Sequence, residues 1–422
     1  MSSTFLTHLE CWRCGRTFPP EKRFTGCPEC ARTKPSNLFC QYDLDAIGRT
    51  FHPGLLAARP PTLWRYKEFL PAGEGHIVSM GEGMTPLIHC PRLGQRMGLR
   101  NLYVKDDSRN PTWSFKDRMA ASGAAMALDF GCTVLTAASS GNGGAATSAY
   151  AARAGIEAVI FTTPQFPMTM RAFMQAYGTK IVATPTAADR WKMVLEGVLE
   201  HDWFPIQNMM TPPVGANPYA LEGNKTFAFE VCEQMSWRVP DWVISPCGSG
   251  DSLTGAWLGF NQFHRLGYVD RVPRMAAAET YGVLMHALET GADHTEAVEP
   301  KPSVAISTAT ANSAYQCLRT IRDSKGTAMT ATNDEIMAAQ LSLAACEGIW
   351  AEPSSALTIA AIQHLVQRGD IREDDVVVAW LTSGGLKDPE VMKHYLPDIP
   401  LIEPTWEALE RTLRDTYRWS PA

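Results

Sequence analysis

Short runs rich in apolar and β-branched residues recur along this chain. They fall at Leu102–Lys105, Thr133–Thr136, Ala158–Thr162, Lys180–Ala183, Trp242–Ser245, Arg274–Ala278 and Val376–Trp380. Runs this brief are too short for a stable helix and read as strands buried on both faces. Between most of them lie Ala-, Met- and Leu-rich stretches of helical length, such as Asp117–Phe130 and Gly144–Ala154. The alternation predicts an α/β fold with a mostly parallel sheet covered by helices on both sides. Ligands in such folds sit beyond the carboxyl ends of the strands, so the loops just after the strands are where chemistry is expected. Near the end, Thr405–Tyr417 reads as an amphipathic helix, and no internal repeat is visible.

Length divides this pattern into parts. A chain of 422 residues exceeds one ordinary core, and two packed α/β units are expected. The expected arrangement is a small module over 1–40 and a core over 41–400 built of two interleaved α/β domains, the smaller at roughly 125–215. A C-terminal helix falls within 401–422. With 45% apolar and 19% charged residues, the composition is that of a globular enzyme. A net charge of −6 gives no electrostatic case for nucleic acid. Met1–Glu10 lacks a basic segment followed by an apolar run, and no stretch approaches the length of a membrane span. A cytoplasmic protein with neither nucleic acid nor membrane as partner is expected.

Four of the eleven cysteines form two pairs, Cys11/Cys14 and Cys27/Cys30. Each Cys-x-x-Cys can chelate one edge of a tetrahedral metal, and the segment between can fold back to close the site. Gly15 and Gly26 suit the tight turns required. A structural zinc ribbon is expected, with no open position for catalysis. The remaining seven cysteines, mostly among apolar neighbours, read as small buried hydrophobes.

Four loops carry the candidate chemistry. Asn110-Pro111-Thr112-Trp113-Ser114-Phe115-Lys116-Asp117-Arg118 follows the first long run. A lysine at such a strand-to-helix turn, behind Phe115, is placed to be desolvated and made nucleophilic. Ser139-Ser140-Gly141-Asn142-Gly143-Gly144 and Cys247-Gly248-Ser249-Gly250-Asp251-Ser252-Leu253 each lead from a strand into a helix. Small residues there open successive backbone N–H groups to an anion. Leu381-Thr382-Ser383-Gly384-Gly385-Leu386-Lys387-Asp388 follows the last run.

Taken in order with Gly81-Glu82-Gly83-Met84-Thr85-Pro86-Leu87 and Glu352-Pro353-Ser354-Ser355-Ala356, these segments resemble the threonine synthase family over about residues 80–395. That family consists of fold-type-II enzymes dependent on pyridoxal 5′-phosphate (PLP), part of which also carries a Cys module. The resemblance implies that Lys116 holds PLP as a Schiff base beside Phe115, and that Asn142 meets the cofactor's 3′-oxygen. Ser139, Ser140, Gly141 and Gly143 would face the substrate α-carboxylate. Gly248, Ser249, Gly250, Asp251, Ser252 and Leu253 would cradle the cofactor phosphate, with Asp251 having to turn away from it. Thr382 would meet the pyridine nitrogen. A homodimer acting on a small amino acid is the corresponding expectation.

The match breaks where the family binds a substrate phosphate. In Val214-Gly215-Ala216-Asn217-Pro218-Tyr219-Ala220-Leu221-Glu222-Gly223-Asn224-Lys225-Thr226, Val214 and Ala220 stand at the family's Asn and Arg positions. Gly143 replaces a threonine, Ser249 an asparagine and Trp113 a glycine. Each lost Arg–phosphate bond costs about 2 kcal/mol or more. The pattern favours elimination or replacement on an amino acid without a phosphate leaving group, with Trp113 adding bulk near the substrate. Two alternatives stay open: a threonine synthase that grips phosphate through Lys225 or Arg319, and a PLP-binding regulatory protein.

Overall fold

The computed structural model describes residues 4–420. Its main body runs to Lys387, and Asp388–420 form a separate short unit containing the helix Trp406–Asp415, capped by the Thr405 hydroxyl. Every strand expected from the apolar runs is present: Asn101–Asp106, Val134–Ala138, Glu157–Thr162, Lys180–Ala183, Trp242–Cys247, Arg274–Glu279 and Val376–Leu381.

These strands build two sheets. The larger has six strands in the order Thr327–Met329, Arg274–Glu279, Trp242–Cys247, Val376–Leu381, Asn101–Asp106 and Leu87–His89. All its neighbours are parallel except the edge strand Leu87–His89, which runs antiparallel to Asn101–Asp106. The smaller sheet is fully parallel, in the order Lys180–Ala183, Glu157–Thr162, Val134–Ala138 and Phe204–Pro205. The chain leaves the large sheet after Asp106, builds the small one, and returns at Trp242.

Central strands are buried on both faces: all six residues of Trp242–Cys247 are buried. This is why the strand reads as a continuous apolar run rather than an alternating one. Helix Pro353–Gln367 packs on one side of the large sheet, with Ala356, Ala360, Leu357 and Ile362 in the core. Helices Lys225–Gln234 and Asp251–Arg265 pack on each other, with Phe227, Phe229, Phe260 and Phe263 in a second apolar cluster. Among the described residues no helix is long and apolar enough to cross a membrane.

Residues 4–42 hold an antiparallel sheet that the sequence did not announce. Leu6–Cys11 pairs with Thr17–Phe18 on one edge and with Leu38–Tyr42 on the other. Its strands are short and interrupted by Pro19, Pro20, Pro28 and Pro35, so periodicity had no window in which to register.

Candidate active site

Four of the segments singled out above meet at the carboxyl end of the strand Val376–Leu381. Phe115 N–H donates to the Thr382 carbonyl at 2.8 Å, and Ser383 Oγ donates to the Trp113 carbonyl at 3.0 Å. Asn142 Nδ2 donates to Glu352 Oε2 at 3.0 Å, and Ser383 Oγ lies 3.5 Å from Asn142 Oδ1. Ser355 Oγ accepts from the backbone N–H of both Thr382 and Ser383, at 3.0 Å each, and sits 2.9 Å from Thr382 Oγ1. Segments up to 270 positions apart are thereby locked into one frame.

Lys116 opens the helix Lys116–Asp129, with its Nζ 4.4 Å from the Phe115 ring centre and 4.0 Å from Met119 Sδ. Among the described residues it makes no ion pair. Burial penalises its ammonium and pulls the pKa below the usual lysine range, against the opposing attraction of Asp251 and Glu352. An amine with an enlarged neutral fraction is a nucleophile for a carbonyl carbon.

The helix is aimed from beneath by Arg118, which is fully buried. Its guanidinium binds Asp107 at 2.7 and 2.8 Å and Glu230 at 2.6 and 2.9 Å. Lys105 Nζ adds a contact to Glu230 at 2.7 Å, and Trp380 Nε1 donates to Asp107 at 2.9 Å. Burial would raise the Glu230 carboxyl, but Arg118 and Lys105 outweigh it and hold it down at about 2. Only Arg118 of this network lies in a motif that the sequence brought forward.

On the phosphate-type loop, Gly250 has φ +87°, and a Cβ there would lie 2.2 Å from Cys317 Cβ. Conformation and space both demand glycine. The 15-residue helix Asp251–Arg265 begins immediately after it, placing free N–H groups at the loop. Ser252 Oγ sits 3.1 Å from Ser245 Oγ, and Leu253 is buried in the core. Gly248 O accepts from Ser313 Oγ at 2.8 Å. The Asp251 carboxylate is taken up by the Ala216 N–H at 2.8 Å, by Ser249 Oγ at 2.5 Å and by Gln316 Nε2 at 3.3 Å. A carboxylate so occupied need not face an anion on the loop.

Trp113 adopts φ +59°, a left-handed conformation natural to the glycine of the resembling motif and strained for an aromatic residue. Its ring is 54% exposed and meets Phe173 with centres 5.2 Å apart. Lys387 Nζ lies 5.2 Å from the same Phe173 ring, buried and without a hydrogen bond. Burial pushes its pKa down to about 8 in spite of Glu352 and Asp117 nearby. On the neighbouring loop, Ser139 Oγ accepts from Gly141 N–H at 3.3 Å.

The donor set fits PLP. A lysine amine of lowered pKa would take the aldehyde carbon, the Gly248–Ser252 loop would take a phosphate, and the Thr382 hydroxyl would meet a ring nitrogen. At the N-terminal module, the four sulfurs of Cys11, Cys14, Cys27 and Cys30 all lie within 4.8 Å of one another. Cys11–Cys30 and Cys14–Cys27 are 3.8 and 3.7 Å apart. A tetrahedron of Zn–S bonds of about 2.3 Å has edges of about 3.8 Å, which these two sulfur pairs match, so the cluster suits zinc.

A crossover α/β frame with a desolvated lysine at one helix start and a glycine anion loop at another defines a PLP-dependent enzyme of fold type II. Residues 78–383 match the sequence model of the pyridoxal-phosphate dependent enzyme family, and the chain belongs to that family. A threonine synthase from Methanosarcina acetivorans is 32% identical over 414 residues, covering 97% of this chain and 99% of that protein. One from Methanocaldococcus jannaschii is 33% identical over 412 residues, covering 96% and 99%. Among solved structures, threonine deaminase isoform 2 from Solanum lycopersicum superposes with a TM-score of 0.61 at 20% identity, covering 74% of this chain and 82% of that one. An L-serine ammonia-lyase from Rhizomucor miehei gives 0.63 at 19% identity, covering 74% and 97%. These two likenesses establish the fold; the family match and the curated relatives indicate a PLP-dependent lyase acting in amino-acid chemistry.

Proposed function

We propose that the chain catalyses a β- or γ-elimination, or a replacement, on an α-amino acid whose leaving group is not a phosphate. When bound, PLP supplies an electron sink for negative charge developing at the substrate α-carbon. Lys116 takes a proton from that carbon and returns it, a role suited to an amine that burial has brought toward neutrality. The N–H groups of Ser139–Gly143 receive the α-carboxylate, and Asn142, fixed by Glu352, orients the ring from one side. Thr382 meets the ring nitrogen with a hydroxyl rather than a carboxylate. A hydroxyl does not hold a pyridine protonated, which tempers the sink and favours elimination or replacement over transamination. The four-cysteine zinc site has a folding role.

The decisive observation is the burial of Val214 and Ala220, 4% and 0% exposed. Val214 Cγ1 lies 3.3 Å from where a Gly26 Cβ would stand, and Ala220 Cβ lies 3.2 Å from the corresponding point at Gly123. Both positions are closed by apolar packing and offer no donor. Lys225 is buried in an ion pair with Glu222. Arg319 is committed to the Trp12 carbonyl and to Asp323 at 3.1 Å. Burying a phosphate dianion here without donors costs several kcal/mol.

The related threonine synthases favour the rival reading, conversion of O-phosphohomoserine to threonine. Steady-state kcat/KM on O-phosphohomoserine and on a panel of unphosphorylated β- and γ-substituted amino acids separates the two. The phosphorylated substrate is expected to be at least about a hundredfold poorer than the best unphosphorylated one, about 2.7 kcal/mol in the barrier. Efficient conversion to threonine would replace this proposal with the rival.

A further inference from the structure

Two polar side chains outside every motif reach the Ser139–Gly143 loop. Arg190 lies near the start of the helix Ala187–His201, which is fixed by a capping box between Thr186 and Asp189. Its Nη1 is 3.3 Å from Ser140 Oγ, which in turn lies 2.7 Å from Thr162 Oγ1. Arg190 Nε is buried without a hydrogen-bond partner, and among the described residues the guanidinium makes no ion pair. Gln207 follows the short strand Phe204–Pro205. A Cβ on Gly143 would stand 1.4 Å from Gln207 Nε2, so the amide fills the volume that a side chain at 143 would take. Gln207 Nε2 is likewise buried without a partner.

The departure at 143 is thus matched in space by Gln207. The glycine at 143 removes a hydroxyl and admits an amide in its place. At the same time Val214 and Ala220 seal the position where a substrate phosphate would go. What remains beside this loop is one half-buried cation with no ion pair among the described residues and one half-buried amide whose Nε2 has no partner. A half-buried arginine without a counter-charge is free to pair with an anion that enters beside the loop. Its planar fork matches a carboxylate, and one guanidinium with one amide balances a monoanion better than a phosphate dianion.

We infer that Arg190 and Gln207 are specificity-determining residues that bind a side-chain carboxylate, making the substrate an acidic α-amino acid. The inference rests on the PLP-dependent reading above, in which the loop N–H groups already serve the α-carboxylate. Calorimetric titration of the PLP-loaded protein with L-aspartate, L-glutamate, L-alanine and O-phospho-L-serine tests it. The wild type is expected to bind one of the two acidic amino acids at least about tenfold more tightly than L-alanine. Arg190→Gln is expected to abolish that preference and leave L-alanine within about twofold, with Arg190→Lys recovering part of it. Gln207→Ala is expected to reduce the preference by a smaller factor. An equal loss for acidic and neutral amino acids would reassign Arg190 to the α-carboxylate and overturn the inference. No loss in either, or tighter binding of O-phospho-L-serine than of both acidic amino acids, would overturn it as well. The visible absorbance of bound PLP is read in each variant. Its absence from the wild type itself would instead refute the cofactor reading, and its persistence in Arg190→Gln excludes misfolding.

Discussion

At the scale of single residues, what the sequence made legible was the backbone-driven part of the site. Lys116, Asn142, Thr382 and the glycine loops stood out because they lie in segments that resemble the family's motifs, just after strands. Arg190 and Gln207 were invisible, because a side chain arriving from another element leaves no local pattern. Trp113 stands between these cases. The substitution for glycine was plain, but the strain was not, since φ +59° is a property of the fold. Left-handed backbone costs a non-glycine residue about 1–2 kcal/mol, and this ring is more than half exposed, so burial returns little. Trp113→Gly is therefore expected to raise the melting temperature while lowering kcat/KM on the native amino acid, since the ring that meets Phe173 is lost. Thermal unfolding and steady-state kinetics on the same preparation check both halves, and a destabilised variant would show that the Phe173 contact outweighs the strain.

At the scale of elements, strands and long helices followed from composition, whereas the pieces that needed a partner did not. Leu87–His89, Phe204–Pro205 and Thr327–Met329 are two or three residues long and exist only because a neighbouring strand is already there. The start of the helix Lys116–Asp129 depends in the same way on the charges beneath it. Removing Arg118 leaves Asp107 without that cation and Glu230 with Lys105 alone. Arg118→Met is expected to cost about 3–5 kcal/mol, read as a shift in chemical denaturation. The sign with pH follows from Glu230. Its folded pKa, about 2, lies below its ordinary value near 4.5, so it stabilises the fold above that value and the contribution is lost as pH falls toward 2. Without Arg118 the folded pKa rises toward or past the ordinary value, so the Glu230 contribution that is lost between about 4.5 and 2 in the wild type should shrink or vanish. An unchanged acid limb would mean that Lys105 alone suffices.

At the scale of the whole molecule, the four-cysteine module is bound into the body that carries the site. Asn37 Nδ2 donates to the Ala216 carbonyl at 2.8 Å, on the same residue whose N–H holds Asp251. Val214 lies against Gly26, and Arg319 reaches the Trp12 carbonyl. Metal analysis of carefully prepared protein is expected to give close to one zinc per chain, and chelation is expected to unfold the module. Because the module grips residues 214–216, chelation should also weaken PLP retention, read as loss of visible absorbance. A stripped protein with its circular dichroism and PLP content intact would assign the cysteines no structural metal.

The strand order of the six-stranded sheet bears on how the protein comes off the ribosome. Its middle strand, Val376–Leu381, is the last of the six to be synthesised, yet it separates Asn101–Asp106 from Trp242–Cys247. Until it emerges, the nascent chain holds two half-sheets with facing open edges and no hydrogen bonds between them. Thr382 and Ser383 follow directly, so the residues that tie the lysine loop to Asn142 arrive with the strand that closes the sheet. A polypeptide interrupted before residue 376 thus leaves both strand edges open to other chains, the kind of surface that chaperones and proteases engage.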